Sequence, residues 1–220
     1  MTNQEILSHI DHTQLKPYAV WADIETLCRE AITLRTASVC IPPAFVERAH
    51  QAFPDLNICT VVGFPLGYAT TAAKLAETKQ ALQEGANEID MVVNISDVKD
   101  HRYAQVEEEI RALKDCCGSH ILKVIVETCY LTEEEKIAMC RAVTAAGAEF
   151  IKTSTGFGTG GATLADVALF RSHIGPNVQI KAAGGVKTRE DLEAFLAAGC
   201  SRIGTSSAVS LLTGGQASSY

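Results

Sequence analysis

The stretch GAEFIKTSTG, residues 147–156, contains the unit that decides the fold. A glycine suited to a left-handed helix end comes first, a strand-like run includes Ile151 four residues later, and a glycine-containing loop follows. The same order of glycine and isoleucine occurs in GANEI (85–89) and GCSRI (199–203). A helix-to-strand junction that repeats along the chain predicts an α/β protein with a parallel sheet.

Strand-like runs alternate with helix-length stretches over the whole sequence. Apolar side chains at helical spacing predict helices over 23–35 and 103–117. A threonine followed three residues later by an acid is typical of a helix start, and it occurs at Thr132, Thr163 and Thr188. The eight predicted strands are 10–15, 37–41, 57–63, 88–94, 121–128, 149–155, 178–184 and 201–206.

Eight such units predict a single (β/α)8 TIM barrel of the α/β class, formed as one domain by residues 1–220. An open, doubly wound sheet is the competing architecture, but such a sheet usually has fewer strands. Because barrel enzymes place their chemistry at the carboxyl ends of the strands, functional residues are expected there.

Composition and charge exclude several classes of function. The net charge is −7 at pH 7 and the pI is about 5.4, whereas binding to nucleic acid or to an anionic membrane requires concentrated Lys and Arg. The eight cysteines include no Cys-x-x-Cys pair, and they are expected to be free thiols in a reducing compartment, without a metal site. No basic leader and no apolar stretch of membrane-spanning length is visible, which predicts a cytoplasmic protein.

Two lysines lie within mostly apolar strands, which is an unusual position for a charged side chain. Lys152 lies in EFIKTSTG and Lys181 in VQIKAAGG, each shortly before a glycine-containing loop. Two ammonium groups in one enclosed site repel each other, so one of them is expected to have its pKa lowered from ~10.4 toward ~7–8. A neutral lysine attacks a carbonyl and forms an iminium, an electron sink for carbon–carbon cleavage. A rim lysine whose ammonium reaches water is the simpler interpretation for one lysine, but not for two.

Acidic residues accompany these lysines on other predicted strands. Asp90 in EIDMVVN is expected to hydrogen-bond a lysine or to orient a water that moves protons, and a structural ion pair is the alternative. Lys123 and Glu127 in ILKVIVET share one strand face and are expected to pair with each other as interior scaffolding. Asp11 and His12 either contact substrate or close the first strand.

Three loops after the late strands are suited to a phosphate group. Backbone N–H groups, hydroxyls and a helix N-terminus bind phosphate without a basic patch, although glycines that only make tight turns are the simpler interpretation of any one loop. The loops contain Thr155 and Gly156, then Gly184 and Gly185, and finally Gly204, Ser206 and Ser207. GFGTGG (156–161) also matches the dinucleotide pattern G-x-G-x-x-G, but no acidic residue follows at the end of the next strand to hold a ribose.

Six motifs follow one another along the chain: DHTQL, EIDMVVN, LKVIVET, EFIKTSTGFGTGGAT, IKAAGGV and RIGTSS. Their order and spacing are those of the deoxyribose-phosphate aldolase family, which the chain resembles over nearly its whole length. The KTSTG and KAAGG segments are specific to that family. The resemblance implies reversible cleavage of 2-deoxy-D-ribose 5-phosphate to D-glyceraldehyde 3-phosphate and acetaldehyde. It also implies a class I mechanism without metal or organic cofactor, a small phosphorylated sugar as substrate, and a homodimer.

The same resemblance implies roles for individual residues. Lys152 corresponds to the Schiff-base lysine, Lys181 to the lysine that lowers its pKa and takes part in proton transfer, and Asp90 to the proton-relay aspartate. The positions where the family holds phosphate correspond to Gly156, Gly184, Gly185, Ser206 and Ser207. Phe157 stands where some members have a lysine, which leaves the cationic phosphate contact unassigned. Tyr220 resembles a C-terminal tyrosine that assists proton transfer, and an untethered terminus is an equal alternative.

Two further interpretations remain. Cys40, near a predicted strand end, is expected to be a buried core thiol rather than a reactive one. A non-enzymatic sugar-phosphate-binding module would need the barrel and the phosphate loops, but it would not need two inward lysines.

Overall fold

The computed structural model describes residues 1–214, in which eight parallel strands pair in sequence order and the last strand returns to the first to close a barrel. The predicted (β/α)8 barrel is confirmed. The strands are β1 Ile10–Thr13, β2 Ser38–Ile41, β3 Ile58–Val62, β4 Glu88–Val92, β5 Ile121–Ile125, β6 Phe150–Lys152, β7 Gln179–Ala183 and β8 Arg202–Thr205. Each is shorter than its predicted run. Apart from β2, which ends where predicted, the strands stop early because the residues that follow leave the sheet to form the loops of the barrel mouth.

The helices of residues 1–214 cover the outside of the barrel. They are α1 Asn3–Leu7, α2 Trp21–Leu34, α3 Val46–Ala52, α4 Thr71–Gln83, α5 Ile95–Lys99, α6 Tyr103–Cys117, α7 Glu133–Ala146, α8 Leu164–His173, α9 Arg189–Ala197 and α10 Ala208–Thr213, with short 3-10 turns at Pro43–Phe45 and Thr128–Tyr130. Thr132, Thr163 and Thr188 cap α7, α8 and α9 by accepting a hydrogen bond from the backbone three residues on. The predicted helix starts are therefore confirmed. Each such cap stabilises its helix by about 1 kcal/mol.

Alternation along the strands divides the side chains between two layers. Outward residues such as Ile89 and Ile151 are fully buried beneath the helices and belong to the main apolar core. Inside the barrel, a small apolar cluster contains Leu15, Cys40, Cys59 and Val61. The rest of the barrel interior carries charged side chains. Six of them are buried, namely Asp11, Glu88, Asp90, Lys123, Lys152 and Lys181, and Arg202 is partly buried. The interior therefore contains a small apolar cluster and an ionic cluster, and β1 contributes Asp11 to the ionic one.

No helix within residues 1–214 is long and apolar enough to cross a membrane. All eight cysteines lie in this part of the chain and are free thiols, as expected.

Candidate active site

An ion cluster in the barrel interior brings the three predicted catalytic residues together. Asp90 is fully buried, and its Oδ2 accepts hydrogen bonds from Lys152 Nζ and Lys181 Nζ, both at 2.7 Å. The two lysines are direct neighbours because β6 and β7 pair with these residues in register. On the other side, Asp90 Oδ1 accepts a hydrogen bond from Lys123 Nζ at 2.9 Å. One carboxylate thus joins three ammonium groups.

A second tier of charges lies around this centre. Asp11 is fully buried, forms an ion pair with Lys181 and accepts a hydrogen bond from Arg202 Nη1 at 2.5 Å. Glu88 pairs with Arg202 Nη2 at 3.0 Å and with Lys123 Nζ at 2.5 Å. The cluster contains the cations Lys123, Lys152, Lys181 and Arg202 and the carboxylates Asp11, Glu88 and Asp90. With every group ionised, the cluster has one positive charge in excess.

The shared charges decide which groups stay ionised. Burial alone would raise the pKa of Asp90, but Lys123, Lys152 and Lys181 outweigh burial and hold that pKa well below its usual range. Burial would lower the pKa of Lys181, but Asp11 and Asp90 outweigh it and raise that pKa above its usual range. Lys181 is therefore the fixed cation beside Lys152, and the lowered pKa expected for one lysine is not found at Lys181.

Asp11 and His12 face opposite sides of β1. Asp11 belongs to the ion cluster, beneath the barrel mouth. His12 points outward to α2, where its Nε2 lies 2.8 Å from Glu30 Oε2. Burial lowers the pKa of His12 although Glu30 opposes this. His12 therefore takes no part in the interior chemistry.

The predicted pairing of Lys123 with Glu127 is wrong. Lys123 pairs with Asp90 and Glu88 on the neighbouring strand β4. β5 ends at Ile125, so the strand alternation that would place Lys123 and Glu127 on one face does not reach Glu127. Glu127 instead accepts hydrogen bonds from the backbone and hydroxyl of Thr155.

A cavity of about 470 Å³ opens at the barrel mouth above the cluster. Lys152 lines it from below, so the cavity and the ion cluster share one amine. All seven residues predicted for substrate or phosphate binding also line it: Thr155, Gly156, Gly184, Gly185, Gly204, Ser206 and Ser207. The three loops that looked suited to phosphate are thus brought to one place.

Backbone conformation and close packing explain why glycine occupies several positions at or near this cavity. Gly184 and Gly185 have φ values of +73° and +77°, a region that other residues rarely adopt. A Cβ on Gly161 would lie 2.4 Å from the carbonyl carbon of Gly184. A Cβ on Gly158 would lie 2.8 Å from Cys129 Sγ. Packing of the loop therefore accounts for glycines of the GFGTGG stretch without a dinucleotide.

Two thiols lie beside the cluster. Cys40 and Cys59 are fully buried, as predicted for the position of Cys40. Their Sγ atoms lie within 4.8 Å of each other and of a carboxylate oxygen of Asp90. A hydrogen bond with Cys59 lowers the pKa of Cys40 more than burial raises it. The ammonium groups bonded to Asp90 would repel a cation there, so these three residues do not fit a metal site.

Comparison with known proteins shows the family of this chain. The profile of the DeoC/LacD family aldolases matches residues 6–214. This chain belongs to the DeoC/LacD aldolase family. A protein of Clostridium botulinum (strain Alaska E43 / Type E3) named deoxyribose-phosphate aldolase is 66% identical over 221 residues, which cover 100% of both chains. A protein of the same name from Clostridioides difficile (strain 630) is 53% identical and covers 99% of this chain and 100% of its own.

Solved aldolase structures have the same fold. The aldolase QR15 superimposes with a TM-score of 0.91 at 38% identity, over 96% of this chain and 95% of its own. The deoxyribose phosphate aldolase of Aeropyrum pernix, described as a tetramer, superimposes with a TM-score of 0.87 at 31% identity, over 96% of this chain and 91% of its own.

In this aldolase a basic residue that the sequence motifs did not indicate also lines the cavity. Lys187 lines the cavity from the loop between β7 and α9, three residues after Gly184. Phe157, at the position where some family members have a lysine, packs edge-to-face against Phe64 with ring centroids 5.3 Å apart. The lysine that follows the KAAGG segment was the available signal for a cationic contact. Tyr220, the predicted helper, lies outside the described residues.

Proposed function

We propose that this aldolase reversibly cleaves 2-deoxy-D-ribose 5-phosphate to D-glyceraldehyde 3-phosphate and acetaldehyde. One observation carries the proposal: the Nζ of Lys152 bonds the buried Asp90 carboxylate while its side chain lines the cavity that the phosphate loops surround. A nucleophilic amine and an anion-binding surface are the two groups that a phosphorylated aldehyde requires. The names of the relatives supply the identity of the sugar.

Lys152 is the proposed nucleophile. Of the three cluster lysines, it alone lines the cavity, and loss of its proton leaves three cations facing three carboxylates. The neutral amine attacks the C1 aldehyde of the open-chain sugar, and loss of water leaves an iminium. Lys181 stays charged beside it and stabilises negative charge that develops on the substrate.

Cleavage breaks the bond between C2 and C3. A base removes the C3 hydroxyl proton, the C3–O electrons form the new aldehyde, and the C2–C3 pair moves toward the iminium nitrogen to give an enamine. Asp90, Lys181 and an ordered water are the proposed proton carriers, and they later protonate C2. Hydrolysis of the resulting imine releases acetaldehyde. The imine nitrogen is the electron sink, so the proposed reaction requires neither a metal nor an organic cofactor.

The phosphate is proposed to bind over the late loops. Gly184 and Gly185 expose backbone without side chains, and Ser206 and Ser207 supply hydroxyls next to the start of α10. Lys187 supplies the cationic contact that is missing at Phe157. An acidic protein can therefore hold an anionic substrate locally.

Borohydride trapping tests the role of Lys152. Reduction in the presence of acetaldehyde should leave an ethyl group on the peptide that contains Lys152, and Lys152→Arg should abolish both the adduct and the cleavage of deoxyribose 5-phosphate. Lys79→Arg, on the exposed face of α4, is the matched control and should keep both. An adduct on Lys181 instead, or an active Lys152→Arg variant, would overturn the assignment.

Assembly and location remain part of the proposal. We expect a homodimer in the cytoplasm, and the tetramer described for the Aeropyrum pernix enzyme offers the contrasting state. The mass in solution, measured by light scattering, distinguishes these states.

A further inference from the structure

Glu127 is a buried acid that the proposed reaction does not use. It is 2% exposed, and its backbone lies in the left-handed region at φ 53° and ψ 67°. Arg35 and His101 are the other non-glycine residues of 1–214 with positive φ, and both are exposed near helix ends. Such a backbone is unfavourable for a non-glycine residue, because its Cβ approaches the neighbouring carbonyl oxygen. Glu127 adopts this backbone conformation in the protein interior, next to β6, the strand that carries Lys152.

The Glu127 carboxylate extends the contact between β5 and β6 past the point where the strands end. The backbone N–H of Val126 donates to the carbonyl of Lys152 at 3.1 Å, and that of Thr128 donates to the carbonyl of Thr153 at 2.9 Å. The N–H of Thr155 then donates to the two carboxylate oxygens of Glu127, at 3.2 and 3.3 Å. A side-chain carboxylate thus takes the place of a backbone acceptor, because the left-handed turn at Glu127 directs the chain away from the sheet.

The same carboxylate contacts the loop that follows β6. It accepts a hydrogen bond from the Thr155 hydroxyl, which in turn accepts one from the N–H of Phe157 at 3.0 Å. A Cβ on Gly158 would lie 3.1 Å from the carboxyl carbon of Glu127, so the loop passes directly over this side chain. Gly156, between these contacts, lines the cavity at the barrel mouth.

We infer that Glu127 is a positioning residue that fixes the loop 155–158 relative to Lys152, so that the phosphate loop and the Schiff-base amine keep one separation. The inference rests on the proposed function for the identity of the substrate, while the contacts themselves do not depend on it. Burial raises the pKa of Glu127 although the Thr155 bonds and Lys152 oppose this, as expected for a carboxyl enclosed by the loop.

Glu127→Gln tests this inference, since the amide has the same shape but presents a donor where Thr155 also donates. We expect kcat/KM for deoxyribose 5-phosphate to fall about 10- to 100-fold, mainly through KM, because the loop no longer holds the phosphate at the required place. With unphosphorylated 2-deoxyribose, which makes no phosphate contact, kcat/KM should change less than about 3-fold. Glu133→Gln, an exposed acid in the first turn of α7, is the matched control and should leave both values unchanged.

The ratio of the two substrates separates positioning from general damage. A merely structural role would lower both activities together, and equal losses would therefore overturn the inference. If Glu127→Gln does not fold, Glu127→Asp keeps the charge but shortens the side chain so that it no longer reaches Thr155, and it should give the same selective loss. An unchanged ratio in Glu127→Asp would also overturn the inference.

Binding of inorganic phosphate provides a readout that does not need turnover. Calorimetry should show phosphate bound by the unaltered protein and bound at least about 10-fold more weakly by Glu127→Gln, because the loop geometry is lost. A protein that binds phosphate but does not cleave deoxyribose 5-phosphate would contradict the proposed function alone. Equal phosphate affinity in the two proteins would contradict the role of Glu127 alone.

Discussion

In an Asp90→Asn variant, three lysine ammonium groups lose the carboxylate that they share. The native cluster has four cations and three carboxylates, and the variant has four cations and two carboxylates. We expect the free energy of unfolding to fall, because the buried positive charges repel each other and an amide cannot replace the lost negative charge.

The structure sets the magnitude of this loss. Removal of one partner from a buried ion pair costs about 3–5 kcal/mol. Here the three Nζ atoms lie 2.7–2.9 Å from the carboxylate, and Asp90 is fully buried, so we expect a value near the upper end, about 5 kcal/mol. That is a large part of the ~5–15 kcal/mol by which a protein is usually stable.

Urea unfolding at pH 7, followed by circular dichroism, measures the loss. Asp97→Asn is the matched control: Asp97 is also buried, but its partner Arg102 is 52% exposed, so the expected change is only about 0–1 kcal/mol. Lys181→Met should cost at least about 1 kcal/mol less in the Asp90→Asn background than in the native one, because it then removes an unpaired cation. A loss below about 1 kcal/mol for Asp90→Asn, or strict additivity in the double variant, would refute the reasoning.

Three further predictions concern the cavity and the cluster. Lys187→Met should raise KM for deoxyribose 5-phosphate about 10- to 100-fold with little change in kcat, since a hydrogen bond from a charged group is worth ~1.5–3 kcal/mol. Initial-rate kinetics measure this effect, and an unchanged KM would show that Lys187 does not contact the substrate. Gly161→Ala should weaken phosphate binding at least about 10-fold in calorimetry, because the new Cβ would lie 2.4 Å from the Gly184 carbonyl carbon. Gly160→Ala is the control and should not weaken it, because its new Cβ would lie 3.3 Å from the Cβ of Cys129. The neighbouring cations outweigh burial and lower the pKa values of Asp11 and Asp90 below their ordinary 3.8. As the pH falls the unfolded chain therefore binds protons first, and the stability that these groups contribute above about pH 4 is lost. Urea titrations at pH 3 to 5 should show this decrease in stability, and a smaller decrease in Asp90→Asn.

The fold could be predicted because its signals are local. Alternating strand and helix patterns need only neighbouring residues, and the threonine caps at 132, 163 and 188 act within one turn. The three loops that line the cavity could be located for the same reason, since glycine and serine directly after a predicted strand form a local pattern. Lys187 was missed although it follows the KAAGG segment closely, because its place at the cavity depends on how the loop between β7 and α9 lies over the barrel mouth.

The partners of the interior charges could not be predicted in this way. Strand alternation shows which residues face inward, but it does not show which inward residues meet across the barrel. Lys123 was assigned to Glu127 on its own predicted strand, whereas its partners lie on β4, where register places Asp90 directly opposite it. The turn at Glu127 also ends the alternation on which that pairing depended. The partners of an interior charge depend on strand register and barrel closure, which are properties of the whole barrel and not of a local stretch of sequence.

Closure of the ring through β1 and β8 has a consequence for how the protein folds. Asp11 and Arg202 bond at 2.5 Å although 191 residues separate them in the sequence. Contacts between such distant residues form slowly, because a long loop of chain must be brought together first. Helices can form before the ring closes, but the ion cluster cannot be complete until it does. Activity regained during refolding should therefore lag behind the recovery of the far-ultraviolet circular dichroism signal and report on the last step of barrel assembly.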